Sequence, residues 1–303
     1  MKVFITGGTG FVGSSLTREL ANQGHQVTIL DRTIKAQQDF PPTVSFIETD
    51  STLRGSWQDI ASEHDIFINL AGASVFSRWN EKNRKAIRES RILTTNHLVE
   101  AISRSRNEGT RLFSTSAVGF YGFHEDEELV EEAPSGNDFL ATVARDWENA
   151  ANAARAFRTK VVVCRFGIVL GRRGGALHQM LPIFKVCMGA PLGSGRQWFS
   201  WIHERDLVNI FLFLMDRKDM EGPINCTAPQ PVRNSEMTKA IGQVLGVPTW
   251  PIGVPAFMMK MILGEFGDVL LKGQKAMPAK LTQSGFRFMF PTIDAALKDL
   301  MKR

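Results

Sequence analysis

The feature that most constrains the fold is the spacing of three glycines near the start of the chain, in Thr6-Gly7-Gly8-Thr9-Gly10-Phe11-Val12-Gly13. A β-type apolar stretch precedes them and an amphipathic helical pattern follows, so the glycines lie where a strand turns into a helix. Gly7 permits the tight turn, Gly10 lets the backbone approach a pyrophosphate, and Gly13 lets the helix pack close to the strand. The spacing predicts a dinucleotide-binding turn. The alternative is an ordinary strand-turn-helix whose glycines serve packing alone.

The helix after this turn predicts where phosphates bind. It begins at Phe11, so the free backbone N–H groups of Phe11 and Val12 belong to its positive end, which favours anions. Asp31 and Arg32 follow the second predicted strand, where this kind of fold meets the adenosine ribose. A carboxylate there favours NAD, and a guanidinium there favours the 2′-phosphate of NADP. The sequence carries both residues, so both cofactors stay open at this point.

Strand and helix patterns alternate through the first half of the chain, which predicts an α/β fold with a doubly wound parallel sheet. A Gly- and Pro-containing region begins after Gly171, and the chain looks helical from Asn234 onward. We therefore expect a nucleotide-binding domain over 1–170 with returning segments 204–226, and a smaller, mostly helical lobe from 171–203 and 227–303. The predicted strands are 2–6, 26–30, 44–48, 65–70, 111–115, 160–165 and 224–226, and the predicted helices are 11–23, 80–106, 137–157 and 204–217.

Composition narrows the class of protein. The 303 residues are 43% hydrophobic and 22% charged, an ordinary balance for a globular chain. No apolar run approaches the length of about 20 residues that spans a bilayer, and no signal peptide precedes the first strand, so we expect a cytoplasmic protein without membrane partners. The net charge of +5 comes from scattered Lys and Arg residues, which argues against nucleic acid as a partner. No Cys or His spacing indicates a metal site.

Several motifs together resemble a known family. The glycine turn, the segment Asn69-Leu70-Ala71-Gly72, and Ser114-Thr115-Ser116 before Tyr121-Gly122 are similar to the extended short-chain dehydrogenase/reductases, which have a Rossmann fold. Later segments resemble one atypical branch of that family, the nucleoside-diphosphate-sugar epimerase-like proteins with a short distinctive C-terminal domain. These segments are Gly193-Ser194-Gly195-Arg196-Gln197, Trp201-Ile202-His203, Gly273-Gln274-Lys275-Ala276-Met277-Pro278 and Ser284-Gly285-Phe286.

The resemblance implies which residues meet a cofactor. It implies an NADP-type cofactor, with NAD as the alternative, and it places Arg91 and Val169 along that cofactor. The small residues in Leu70-Ala71-Gly72 let the backbone lie against its ribose and nicotinamide side. Arg165 ends a predicted strand on the edge where ligands bind, so it is a further candidate for a phosphate contact.

The catalytic pair of ordinary family members is absent. Those members use Tyr-x-x-x-Lys, in which the tyrosine is the general acid/base and the lysine lowers its pKa. Counted back from Glu148, the two positions hold Leu140 and Ala144, and neither can exchange a proton. Ser116 matches the family's substrate-orienting serine, and Tyr121 is the only tyrosine of the chain. We take both as catalytic candidates, while a strand-end cap and a packing aromatic are their respective alternatives.

Other polar residues have weaker claims. His203 opens a predicted helix, where a lone histidine is more often a cap or an orienting group than a catalyst. Arg196 is equally compatible with a phosphate contact and with surface ion pairing. Two functions therefore stay open: an NADP-binding, epimerase-like oxidoreductase acting on a small molecule such as a nucleotide sugar or carbonyl compound, and a non-catalytic NADP(H) sensor or interaction protein. The oligomeric state also stays open, with a homodimer as one option.

Overall fold

The computed structural model describes residues 1–34 and 39–302, and its centre is a parallel sheet. The strands are β1 (Lys2–Thr6), β2 (Gln26–Asp31), β3 (Val44–Glu48), β4 (Ile66–Asn69), β5 (Arg111–Ala117), β6 (Glu128–Leu129), β7 (Lys160–Phe166), β8 (Ile168–Leu170), β9 (Trp198–Phe199), β10 (Trp201–His203), β11 (Gly222–Cys226), β12 (Val232–Arg233) and β13 (Lys275–Ala276). Seven of them form the main sheet in the order β11-β7-β5-β4-β1-β2-β3. Because β1 lies between β2 and β4, the strand order reverses beside β1, and ligands bind at such a switch point.

Helices cover both faces of this sheet. They are α1 (Phe11–Asn22), α2 (Trp57–Ala61), α3 (Glu81–Ser103), α4 (Phe139–Asn152), α5 (Gly175–Lys185), α6 (Glu204–Asp216), α7 (Asn234–Leu245), α8 (Ala256–Leu263), α9 (Glu265–Leu270), α10 (Ala279–Gln283) and α11 (Ile293–Leu300). One core lies between the sheet and helices α1 and α6, and a second lies between the opposite face and helices α2 and α3. Burial on both faces explains why the central strands are almost continuously apolar.

The remaining elements build a smaller lobe. Helices α5, α7 and α11 share a core with Trp201 of β10 and Leu170 of β8. Three short strand pairs, β8 with β10, β9 with β12 and β6 with β13, join the lobe to the ends of the main sheet. The doubly wound parallel sheet with a mostly helical C-terminal region was predicted and is confirmed.

The boundaries of the first half agree with the sequence to within a few residues, but the region 171–203 does not. The sequence predicts only that this Gly- and Pro-containing region leaves the sheet for the smaller lobe, and it assigns no helix or strand within it. The structure instead contains the helix α5 with Pro182 inside it, and the strands β9 and β10. Proline removes one backbone hydrogen bond and distorts a helix. Local propensity therefore does not predict a helix in this region.

His203 ends β10 and caps α6, as one of its two interpretations predicted. Its Nδ1 accepts the backbone N–H of Arg205 at 3.0 Å, and its ring stacks on Phe290 with centroids 3.9 Å apart. Because Nδ1 is an acceptor, the ring proton of the neutral form sits on Nε2, which lies 3.4 Å from Asp299. Burial lowers the pKa of His203 to about 4, although the carboxylate of Asp299 opposes that shift.

We predict that His203 makes the protein acid-sensitive. A folded-state pKa of about 4 lies below the ordinary value of 6.5, so the unfolded chain binds the proton first as the pH falls. The stabilisation is complete above pH 6.5 and is lost between that pH and about 4, and we expect a loss of about 2 kcal/mol from this group between pH 7.5 and pH 5. The measurement is denaturant unfolding at several pH values.

The matched control is His203→Asn, because asparagine can still cap α6 but does not titrate. The difference in unfolding free energy between the two proteins should shrink by about 2 kcal/mol as the pH falls to 5. A difference that stays constant from pH 7.5 to 5 would show that His203 is not buried in its neutral form.

Candidate functional site

The turn between β1 and α1 is packed too tightly for any residue larger than glycine. Gly7 has φ of 74°, and a Cβ at this position would lie 2.9 Å from the backbone nitrogen of Ala71. A Cβ at Gly13 would overlap the carbonyl oxygen of Gly7. The first turn of α1 is thereby held against the end of β4. Its unpaired N–H groups lie at the carboxyl edge of the sheet, where an anion would meet them.

Phe11 is covered by the loop 171–175, which the sequence predicts to belong to the smaller lobe. Gly174 packs on the Phe11 ring so closely that a Cβ there would lie 2.6 Å from Cδ2. Gly171 and Gly175 contact the same ring, and Gly175 also lies against the carbonyl of Val169. The structure thus brings Phe11 and Val169 together through the loop 171–175. The signal in the sequence was the run Gly-Arg-Arg-Gly-Gly, whose glycines allow this approach.

Asp31 braces the glycine turn. Its Oδ2 accepts both the backbone N–H of Thr9 at 2.9 Å and the Thr9 hydroxyl at 2.6 Å. Arg32, the next residue, is exposed. One carboxylate oxygen of Asp31 is therefore committed to the protein itself, while Arg32 is exposed at the same end of β2.

A buried amide fixes the end of β4. Asn69 Oδ1 accepts the hydroxyl of Thr6 at 2.7 Å, and Asn69 Nδ2 donates to Thr95 Oγ1 at 2.7 Å. Trp147 Nε1 donates to the same hydroxyl at 2.9 Å. The ends of β1 and β4 are thereby tied to α3 and α4. The sequence predicts Leu70, Ala71 and Gly72 at this site but not the role of Asn69, although an asparagine in an apolar strand indicates such a bond.

Arg91 lies beside the segment that follows β4. Its Nη1 donates to the carbonyls of Ala73 at 3.0 Å and Ile87 at 2.9 Å, and its guanidinium packs on Gly72. Burial lowers the pKa of Arg91 to about 10, so it remains charged at neutral pH. The structure gives Arg91 a role in holding the backbone at 72–73. Its predicted contact with a cofactor stays a prediction.

Ser116 and Arg165 lie on neighbouring strands and share one partner, Glu148 of α4. Arg165 Nε and Nη2 donate to Glu148 Oε1 and Oε2, each at 2.8 Å, and Ser116 Oγ donates to Oε1 at 2.7 Å. Arg165 Nη1 donates to the carbonyl of Glu131 at 3.0 Å. The guanidinium is therefore buried and paired with a carboxylate. The prediction that Arg165 contacts a phosphate has no support in this geometry, because its charge is already compensated.

Tyr121 belongs to the same buried network. Its hydroxyl donates to Asn225 Oδ1 at 2.7 Å and accepts Arg165 Nη1 at 2.9 Å. Burial raises the pKa of Tyr121 to about 12, and the nearby guanidinium of Arg165 only partly opposes this. A hydroxyl so enclosed exchanges a proton poorly near neutral pH. The geometry supports a packing and hydrogen-bonding role for Tyr121, which was the alternative interpretation.

The two positions that hold the Tyr-Lys pair in ordinary family members carry apolar residues here and lie in apolar surroundings. Leu140 packs in a cluster with Trp79 and Phe139, and Ala144 is buried within α4. Ser116 is also buried, with 1% of its surface exposed. The two catalytic candidates are thus brought together through Glu148 and Arg165, but they face the protein interior.

The weaker candidate Arg196 lies in the smaller lobe, near several aromatic residues. Arg196 is exposed, and its carbonyl accepts a hydrogen bond from Arg233. Trp198 lies beneath the Arg233 guanidinium, 3.8 Å from the ring centroid, and donates to Asp126 at 3.0 Å. Phe199 and Trp201 are buried in the lobe core.

Residues 1–34 and 39–302 lack a membrane-spanning helix and a metal-binding cluster. Within these residues no helix combines the length and apolar character that crossing a membrane requires. Nor do they contain a cluster of three or more His, Cys, Asp or Glu side chains placed to hold a metal ion.

Comparisons with known proteins agree with the fold. The sequence model of the NAD dependent epimerase/dehydratase family matches residues 3–226, and that of a domain of unknown function, DUF1731, matches residues 254–300. An epimerase family protein SDR39U1 homolog of Arabidopsis thaliana, described as chloroplastic, is 40% identical over 100% of this chain and 87% of its own length. The epimerase family protein YfhF of Bacillus subtilis is 36% identical over 99% of this chain and 98% of its own length.

A solved structure is similar over the same extent. The human epimerase family protein SDR39U1, crystallised with NADPH, superposes with a TM-score of 0.85 at 32% identity and covers 99% of each chain. Because one relative is described as chloroplastic, the expected cytoplasmic location stays a prediction. The match of the family model over most of the chain, together with relatives similar over its full length, shows that this protein belongs to the NAD-dependent epimerase/dehydratase family.

Proposed function

We propose that this protein binds NADP(H) at the carboxyl edge of its sheet and exchanges hydride with a small carbonyl compound or nucleotide sugar, without the usual Tyr-Lys pair. The observation that carries the cofactor choice is the arrangement at the end of β2. The Oδ2 oxygen of Asp31 accepts two hydrogen bonds from Thr9, and the adjacent residue Arg32 is exposed. A guanidinium is the partner that a 2′-phosphate prefers, so this arrangement favours NADP(H) over NAD.

The shape of the turn fits a dinucleotide. The close approach of Gly7 to Ala71 and of Gly13 to Gly7 leaves a backbone cradle that any Cβ would fill. The amides at the start of α1, including those of Phe11 and Val12, would hold the pyrophosphate. The backbone of 70–72, Arg91 and Val169 would line the rest of the cofactor, and NADPH supplies a hydride from its nicotinamide ring. NADPH in the human relative supports the same assignment.

A second function is favoured by a separate observation. The two positions that should transfer a proton hold Leu140 and Ala144, and the hydroxyls of Ser116 and Tyr121 are enclosed in a buried network. A protein with an intact cofactor cradle and no accessible proton donor at these four positions suits a sensor of the NADP(H) redox state. The two functions share cofactor binding and differ only in turnover.

Turnover therefore decides between them. The purified protein is incubated with NADPH and a panel of aldehydes, ketones and nucleotide sugars. Oxidation of NADPH is followed as a decrease in the absorbance of its reduced nicotinamide ring. We expect oxidation above the rate without substrate for at least one compound. A complete lack of turnover, in a protein that binds NADPH, would favour the sensor. A lack of saturable NADPH binding would remove both functions.

We predict that Arg32→Ala weakens NADPH binding selectively. The variant loses a charge-assisted hydrogen bond of about 1.5–3 kcal/mol, so the Kd for NADPH should rise about 10- to 150-fold. The Kd for NADH, which has no 2′-phosphate, should change less than about 3-fold. Isothermal titration calorimetry with both cofactors measures the difference.

Arg106→Ala is the matched control for that experiment. Arg106 is an exposed arginine in the turn before β5, at the opposite edge of the sheet. It should leave both affinities unchanged. An equal loss of NADH and NADPH affinity in Arg32→Ala would mean that Arg32 does not bind the 2′-phosphate.

We predict that Tyr121→Phe affects stability rather than chemistry. The change leaves Asn225 Oδ1 and one N–H of Arg165 without their partner, which should cost about 1–3 kcal/mol of unfolding free energy. Affinity for NADPH and any turnover should stay within about 3-fold when both proteins are folded. Denaturant unfolding and the NADPH assays provide these values.

Thr159→Val offers a comparison at the far edge of the sheet. The hydroxyls of Thr159 and Thr110 lie 2.8 Å apart in a buried pair, so this variant also loses a buried hydrogen bond. The two variants should lose similar amounts of unfolding free energy, and both should keep their NADPH affinity and any turnover. Loss of turnover in Tyr121→Phe alone, with stability unchanged, would restore Tyr121 as a proton donor.

A further inference from the structure

The first turn of α4 begins beside the end of β5. The carboxylate of Asp138 caps this helix, because its Oδ1 accepts the backbone N–H groups of Leu140 at 2.9 Å and Ala141 at 3.1 Å. Leu140 also lies against the turn that follows β5, so that a Cβ at Gly119 would be 3.7 Å from the Leu140 Cβ. Because β5 ends at the ligand-binding edge of the sheet, Leu140 is held beside the expected position of a substrate.

Leu140 is part of an apolar cluster built from four segments of the chain. These segments are the loop after β4, the helix α3, the start of α4, and the helices α8 and α9 of the C-terminal region. We call this cluster the Leu140 wall; its members are Val75, Trp79, Ile87, Phe139, Leu140, Leu263, Phe266, Val269 and Leu270. Among these side chains only the indole of Trp79 has a polar atom, and its Nε1 already donates to the carbonyl of Val75 at 3.0 Å. The side chains of the wall therefore offer a ligand hydrocarbon surface.

A row of aromatic rings runs through the wall to an exposed end. The ring centroids of Trp79 and Phe139 are 5.2 Å apart, and those of Trp79 and Phe266 are 5.8 Å apart. Phe76 packs edge-on against Phe266 at 5.7 Å and is 52% exposed, whereas Trp79 and Phe266 are buried. Edge-on contacts at this distance are a geometry that aromatic pairs prefer. Phe76 therefore presents a free ring surface on which a further ring can pack.

We infer that the substrate is an apolar carbonyl compound with a ring, such as an aryl ketone, whose hydrocarbon part packs on the Leu140 wall and on Phe76. This inference rests on the proposed function, because it takes the nicotinamide to lie at the same edge of the sheet. Of the two substrate classes proposed above, it selects the carbonyl compound over the nucleotide sugar.

The chemistry of the wall favours a hydrocarbon ring over a sugar. A hydrocarbon ring gains free energy when it leaves water for an apolar surface, and it gains more when it packs on other rings. Each hydroxyl of a sugar loses its hydrogen bonds to water at such a surface, and the side chains of the wall do not replace them, which opposes binding. The hydroxyl of Ser116 at the end of β5 already donates to Glu148 at 2.7 Å.

Two arginines that border the wall are already paired. The Arg84 guanidinium lies over the Phe139 ring, 4.3 Å from its centroid, and pairs with Glu265 at 2.8 Å. Arg88, one turn further along α3, pairs with Asp146 at 2.9 Å. Carboxylates therefore compensate both guanidinium groups, which makes them poor partners for the diphosphate of a nucleotide sugar.

The first measurement compares the binding of acetophenone and of UDP-glucose to the full chain saturated with NADP+. The oxidised cofactor has no hydride to transfer to a ketone, so binding of acetophenone is measured apart from turnover. A saturation-transfer NMR titration gives the Kd of each compound. We expect acetophenone to bind at least about 10-fold more tightly than UDP-glucose.

The variant Phe76→Ser tests the exposed end of the aromatic row. Because about half of the Phe76 ring is exposed, its loss should leave the fold intact while removing the surface on which the ligand packs. The Kd for acetophenone should rise about 4- to 10-fold, and the Kd for NADPH should change less than about 3-fold. Phe157→Ser is the matched control, because Phe157 is 46% exposed and directly precedes β7 at the opposite edge of the sheet. It should leave both affinities unchanged.

The variant Leu140→Gln tests the wall itself. It places a polar amide where the ring is expected to pack, so the Kd for acetophenone should rise at least about 10-fold. Circular dichroism and NADPH affinity, both expected to be unchanged, show that the variant is folded.

Three results would overturn the inference. The first is tighter binding of UDP-glucose than of acetophenone in the NADP+ complex. The second is an acetophenone affinity that is the same in the wild-type protein, Phe76→Ser and Leu140→Gln. The third is a lack of saturable acetophenone binding in a protein that binds NADPH. A lack of NADPH binding would instead contradict the proposed function, so the two failures are distinguishable.

Discussion

The buried ion pair between Arg165 and Glu148 determines how the polar end of the sheet is built. Both side chains are almost completely buried, and removing two charges from water costs several kcal/mol per ion unless good geometry and further hydrogen bonds offset it. Here two parallel bonds of 2.8 Å join the groups. The remaining donors and acceptors are used by Ser116, Tyr121 and the carbonyl of Glu131. The pair is stable because every neighbour contributes, and each neighbour is fixed by it.

The same network joins the sheet to the C-terminal region. Asn225, which accepts from Tyr121, donates to the carbonyls of Leu129 and Met277. Glu131 accepts the backbone N–H groups of Asn225 and Lys280, and burial raises its pKa although these bonds oppose the shift. The polar residues that resemble a reaction centre in the sequence therefore act as the joint between the two parts of the molecule. The burial of Ser116 and Tyr121 in this joint gives both hydroxyls structural partners, and their catalytic roles stay predictions.

The sequence predicted well those features that depend on neighbouring residues in the chain. The glycine turn, the alternating strands and helices, and the cap at His203 depend on residues within a few positions of one another, and the structure has them where we expected them. Arg165 was assigned a ligand because it ends a strand at the binding edge, but its partner Glu148 lies on another element. Spacing along the chain does not reveal such a pairing. The loop 171–175 was missed for the same reason, since its contact with Phe11 spans the whole first domain.

That loop links the binding edge to the last helix. Arg172 donates to the carbonyls of Leu300 at 3.3 Å and Lys302 at 2.5 Å, at the end of α11, while Gly174 two residues later packs on Phe11. The backbone N–H of Arg172 also donates to Glu204 at the start of α6. Since Phe11 opens the helix that would hold a pyrophosphate, a ligand there and the packing of α11 share one set of contacts. We expect each to stabilise the other, because a ligand that binds only the folded arrangement shifts the equilibrium toward it.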